Sequence, residues 1–122
     1  MPSNTKKSCY ISSDTADRVL RFRDERDWAQ FHNPKDLAIS LSLEAAELLE
    51  VFQWSGGDTG FEGKQEKIKE ELADILIYAI DMADACHIDA DEIIREKLRR
   101  NAQKYPADKA RGSSRKYTEL EK

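Results

Sequence analysis

Residues 41–54 read LSLEAAELLEVFQW, and residues 71–80 read ELADILIYAI. In the first stretch Leu41, Ala45, Leu48 and Phe52, with Leu37 one turn earlier, recur at the helical period of about 3.6 residues. In the second, Leu72, Ile75, Leu76 and Ala79 do so between Ile68 and Ala83. Each stretch also carries an acidic pair at i, i+3, Glu44 with Glu47 and Glu71 with Asp74. That spacing puts both carboxylates of a pair on one helix face, so two such helices laid antiparallel bring four oxygen-bearing side chains to one point. The chain is therefore expected to be all-α, with its chemistry between two helices.

The surroundings of the acids sharpen this expectation. Asp74 sits in Leu72-Ala73-Asp74-Ile75-Leu76-Ile77-Tyr78-Ala79-Ile80, apolar on nearly every side, which predicts a helix buried all round. A carboxylate buried there without compensation would be costly and would titrate upward until neutral. No Lys or Arg is expected at matching depth in these two helices, which leaves a bound cation or, alternatively, an interhelical polar network. All-carboxylate ligation without His or Cys suits Mg²⁺, with Mn²⁺ as the other candidate.

Working outward, a helix is expected from about Asp14 to Phe31, stopped by His32-Asn33-Pro34. The second runs from Pro34 to Trp54 and closes on Ser55-Gly56-Gly57, and four of the five glycines fall between Ser55 and Gly63. The third ends near His87. A fourth starts at Asp89-Ala90-Asp91-Glu92, a capping-box pattern, and stops before Pro106. The organisation read from this is a leader over residues 1–13, a helical domain over 14–106 and a basic tail over 107–122 that orders on substrate or a neighbouring subunit.

The chain has 122 residues, 39% of them hydrophobic and 36% charged, with a mean hydropathy of -0.75. A core this thin predicts that a second copy covers part of the apolar surface. No apolar run approaches the roughly 18 residues of a membrane span, and the N-terminus lacks the apolar segment of a signal peptide, so a cytoplasmic protein with no membrane partner is expected. Cys9 and Cys86 form neither a disulfide framework nor a zinc motif. The net charge of -4 divides unevenly: residues 36–94 hold 15 acidic and 3 basic groups, and residues 95–122 hold 10 basic and 4 acidic. An acidic centre beside a basic rim fits a cation and an anionic ligand, and the overall acidity argues against nucleic acid as partner.

A phosphate-bearing substrate follows from such a centre. Lys97 and Asn101 share a face of the fourth helix, and Lys104, Lys109, Arg111, Arg115 and Lys116 extend the basic character, although Lys104 and Lys109 read better as solvated lysines. Trp28, Phe31, Phe52 and Trp54 lie near helix ends, where a flat base could stack; Phe31 and Phe52 are better read as core, and Trp54 as a ligand contact. His32 reads equally well as a base contact or a helix-end residue.

Glu44-x-x-Glu47 and Glu71-x-x-Asp74 on successive helices resemble the defining motif of the MazG-like all-α nucleoside triphosphate pyrophosphatases. Arg26 to His32, Glu47 to Trp54, Glu71 to Tyr78 and the tail Ser113 to Glu119 together look like the dCTP pyrophosphatase branch. The resemblance implies a bundle of about four helices that assembles as a homodimer or homotetramer, with Mg²⁺ held by Glu44, Glu47, Glu71 and Asp74. It implies that Trp28, His32 and Trp54 line a base pocket, that Tyr78, Lys97 and Asn101 contact sugar or phosphates, and that Arg115 and Lys116 close over the triphosphate. The expected reaction is Mg²⁺-dependent hydrolysis of dCTP to dCMP and diphosphate, with Glu47 or Glu50 as general base. A broader house-cleaning pyrophosphatase and a non-catalytic helical oligomerisation module are the alternatives. The chain departs from its relatives at Val19, where a histidine can stand in the first helix, and in a shorter loop between Trp54 and Glu70.

Overall fold

The computed structural model describes residues 11–120, so most of the expected leader, including Cys9, lies outside the described residues. The elements are α1 (Ser13–Glu25), a 3₁₀ turn (Ala29–Phe31), α2 (Pro34–Glu50), α3 (Gln65–Ala85), α4 (Ala90–Lys104), α5 (Ala107–Ala110) and α6 (Tyr117–Leu120), with no strand among the described residues. The all-α expectation holds, and the tail contributes two single-turn helices. Among the described residues no helix is long and apolar enough to cross a membrane. The chain divides into two compact units between His87 and Ile88.

In the first unit α3 packs mainly along α2 and secondarily on α1. The starts of α1 and α2 follow from local chemistry. Ser12 Oγ accepts a hydrogen bond from the Thr15 amide at 3.1 Å. At α2, Asn33 Oδ1 accepts from the Asp36 amide at 2.9 Å and Pro34 supplies the pre-set first turn. The helix expected from Asp14 to Phe31 stops early, at Glu25, because Asp27 takes a left-handed conformation (φ 55). Aspartate tolerates that region better than most residues, and Gln30 Nε2 holds the turn by donating to both the carbonyl and Oδ2 of Asp27 at 3.0 Å. The break turns Trp28 edge-on to Phe22, with ring centroids 5.8 Å apart, while the Arg26 guanidinium lies over the Phe22 ring, 3.6 Å from its centroid.

α2 also ends before Trp54: from Val51 the backbone continues as turns. The following loop is fixed at Asp58, whose Oδ1 accepts from the Gly60 amide and whose Oδ2 accepts from Lys64 Nζ, both at 2.9 Å. Gly63, at φ 78, supplies the left-handed step just before α3.

The inward face of α3 differs from the expected one. Glu71 and Asp81 are buried, and Asp74, Ile75, Tyr78 and Met82 are half-buried, whereas Leu72 and Leu76 are 44% and 40% exposed. Because α3 is apolar on nearly all sides, periodicity by itself does not choose which side faces α2. The helix is not buried all round within the chain. Leu37, at the start of α2, is the one fully buried apolar side chain among the described residues.

In the second unit, α4 begins as expected, with Asp89 Oδ1 accepting from the Glu92 amide at 3.1 Å. Arg95 pairs with Asp91 one turn back at 2.9 Å, and Ile93, Ile94 and Leu98 are exposed.

Candidate active site

The i, i+3 spacing on α2 and the packing of α2 along α3 bring Glu44, Glu47 and Glu71 together: each offers a carboxylate oxygen within 4.8 Å of the others. Burial pushes the Glu71 carboxyl up, and the hydrogen bond and charge of Glu47 push it further. Lys67, one turn earlier on α3, opposes this from 3.5 Å, but its side chain is 61% exposed. Glu44 Oε2 and Glu71 Oε2 are buried and accept no hydrogen bond among the described residues. Three converging carboxylates, two of them with unused acceptor capacity and only a solvated lysine nearby, form a donor set that fits a hard divalent cation.

Asp74 stands outside that trio but shares a cavity of about 580 Å³ with two of its members, Glu47 and Glu71, together with Glu50, Trp54, Lys67 and Glu70. A second cavity of about 430 Å³ is walled by Val19, Phe22, Trp28, Ile77 and Tyr78, with Thr15, Arg18, Arg23, His32, Asp74 and Asp81 as its polar lining. Asp74 thus belongs to both cavities. The structure brings Trp28, His32 and Tyr78 into the aromatic cavity and sets the exposed Trp54 and Glu50 on the carboxylate cavity. Lys97, Asn101, Arg115 and Lys116 belong to the second unit.

Three residues that sequence reading did not single out take part. Arg23, its side chain 12% exposed, bridges α1 to α3 by donating to Asp84 Oδ2 at 2.7 Å and also donates to Asp24 at 2.9 Å, contacts that hold its guanidinium firmly charged. Lys67 approaches the carboxylate trio. Asp81, 3% exposed, lies two turns beyond Asp74 on the same face, and that i+7 spacing was the available signal. Its Oδ2 is 3.9 Å from His32 Nδ1, and its Oδ1 and that nitrogen are both buried without a hydrogen-bond partner among the described residues.

Burial raises the Asp81 carboxyl, with His32 and then Arg23 opposing. A carboxyl raised on folding is destabilising when ionised: its contribution is most favourable below the unfolded value and is lost as pH rises through the folded value. Asp81→Asn is therefore expected to melt higher than wild type near neutral pH, with the gain shrinking on acidification below the raised titration. Thermal melts across pH 4 to 8 check this; a variant that melts lower at neutral pH would show that the ionised group supports the fold.

A model of the MazG-like family matches residues 39–120, which include both acidic pairs and the tail. Human dCTP pyrophosphatase 1 is 44% identical over 104 residues, covering 81% of this chain and 61% of that protein. The bovine dCTP pyrophosphatase 1 is 39% identical over 120 residues, covering 91% of this chain and 71% of its own length. The chain thus spans less than two thirds of the human relative. Among solved structures, a pyrophosphatase from Archaeoglobus fulgidus superposes with a TM-score of 0.71 at 38% identity, covering 76% of this chain and 90% of its own. A family match over most of the chain, relatives at this identity and a shared fold lead to one conclusion: the chain belongs to the MazG-like family.

Proposed function

We propose that this chain is a Mg²⁺-dependent nucleoside triphosphate pyrophosphohydrolase that converts dCTP and water to dCMP and diphosphate. The observation that carries the reading is the pair of cavities sharing Asp74, one aromatic-walled and sized for a small ligand, the other lined by carboxylates. The names of the relatives, dCTP pyrophosphatase and pyrophosphatase, support the same substrate and reaction class.

In this reading Glu44, Glu47, Glu71 and Asp74 hold Mg²⁺. Bound there, the ion would offset the roughly four negative charges of a triphosphate and polarise the phosphate under attack. Glu47 or Glu50 takes the proton of the attacking water. Trp28 and Tyr78 seat the nucleoside in the aromatic cavity beside His32, and Trp54 flanks the carboxylates, where it bounds the substrate's path. Lys97, Asn101, Arg115 and Lys116 keep the sugar- and phosphate-binding roles that the family resemblance implies. A homodimer or homotetramer is part of the proposal, supported by Leu43, Leu72 and Leu76 on the first unit and Ile94 and Leu98 on the second, all exposed and apolar. So is a cytoplasmic location, where nucleotide pools lie.

The test mixes purified protein with dCTP and Mg²⁺, resolves the products chromatographically, and repeats the reaction with EDTA and with dTTP. The expected products are dCMP and diphosphate, abolished by EDTA and weak for dTTP. Release of dCDP and orthophosphate would move the cleavage point, and no product from any nucleotide would return the acidic helices to a structural role.

A further inference from the structure

Asp81 has the features of a group built for a ligand. Its side chain is 5% exposed, it lines the aromatic cavity, and its Oδ1 accepts no hydrogen bond among the described residues. A buried carboxylate serving only the fold is ordinarily saturated with donors. Here the near nitrogen groups stop short: His32 Nδ1 lies 3.9 Å away, and Arg23 spends its short contacts on Asp24 and Asp84. Asp81 lines a cavity whose walls, Phe22, Trp28 and Tyr78, suit a flat ring.

An ionised carboxylate is an acceptor only. Among pyrimidines, cytosine presents an amine at position 4, where thymine and uracil present a carbonyl oxygen that the carboxylate would repel. We propose that Asp81 selects cytosine over the other pyrimidines, its carboxylate, backed by His32, accepting a hydrogen bond from the 4-amino group of a base stacked in the aromatic cavity. This rests on the nucleotide reading above and adds the residue that reads the base. The same amine supplies the donor that the buried carboxylate lacks, so binding favours the ionised form. A polar group left unpaired by the wrong base is a stronger basis for rejection than stacking, which accepts any ring.

The test is calorimetric binding of nucleoside monophosphates without added metal, which separates base reading from hydrolysis. Wild type is expected to bind dCMP on the order of 10- to 100-fold more tightly than dTMP, and more tightly by a similar factor than the 2-pyrimidinone analogue lacking the 4-amino group. Asp81→Asn, whose amide can also donate, is expected to bring dCMP and dTMP within a few fold while its melting temperature stays at or above wild type. A structural role would instead weaken both nucleotides alike and lower the melt. Equal binding of dCMP and the analogue, absence of preference in wild type, or an unchanged preference in the variant would each overturn the assignment. Should the variant fail to fold, the analogue comparison on wild type decides by itself. Failure of hydrolysis with the binding preference intact would overturn the reaction and leave the base-reading role standing.

Discussion

Glu71→Gln is expected to lower Mg²⁺-supported turnover of dCTP on the order of 10³-fold, with the protein still folded. Glu71 is the buried member of the trio, and an amide keeps its shape while removing the charge and one anionic ligand oxygen. Without metal, the same change removes the burial of an ionisable carboxyl and its crowding against Glu47, which together push that carboxyl up. The metal-free variant should therefore melt no lower than wild type near neutral pH. Added Mg²⁺ should raise the wild-type melting temperature by linkage and leave the variant's nearly unchanged. Turnover and melts with and without Mg²⁺ check the two halves together. Full Mg²⁺-dependent turnover in a folded Glu71→Gln protein would remove Glu71 from the metal site.

Leu37→Ala is expected to have the opposite profile. Leu37 is 1% exposed and is the one fully buried apolar side chain among the described residues, so its loss falls on a core with little in reserve. Truncating a buried leucine costs about 2–5 kcal/mol, a large part of the total stability of a small domain. The melting temperature should fall by about 10 °C or more, while activity per folded molecule stays near wild type because Leu37 lines neither cavity. Substrate and Mg²⁺ together should recover part of the lost stability by binding only the folded form. Differential scanning calorimetry with activity normalised to the folded fraction checks this, and a melt within a degree or two of wild type would show that the site collapses around the smaller side chain.

These two positions also mark how far the sequence could be read. Glu44, Glu47, Glu71 and Asp74 stood out because acids at i, i+3 in apolar helices are unusual and because helical geometry fixes which side chains share a face. The starts of α2 and α4 were equally legible, since Asn33-Pro34 and Asp89 act on amides within three residues of themselves. Trp28 and His32 are candidates from their places at helix ends and Tyr78 through the family resemblance, and the structure places all three on one cavity. An acid in a helix is usually solvated, and nothing local to Asp81 reveals that His32, from the segment before α2, comes within 3.9 Å. The early end of α1 is equally hidden in the sequence: Asp27 reads as an ordinary helical residue, and only the fold shows its left-handed turn and Gln30 contacts.

The sequence by itself determined the all-helical class, the starts of α2 and α4, the acidic pairs and the family, because each is written in spacings of a few residues or in motifs. Only the tertiary structure decided which side of α3 turns inward, that Glu71 and Asp81 are buried while Leu72 and Leu76 are exposed, and that Asp74 serves two cavities. The physical reason is that α3 offers apolar surface in nearly every direction, so its rotation is set by the groups α1 and α2 present to it, and burial is a property of that packing rather than of any single residue.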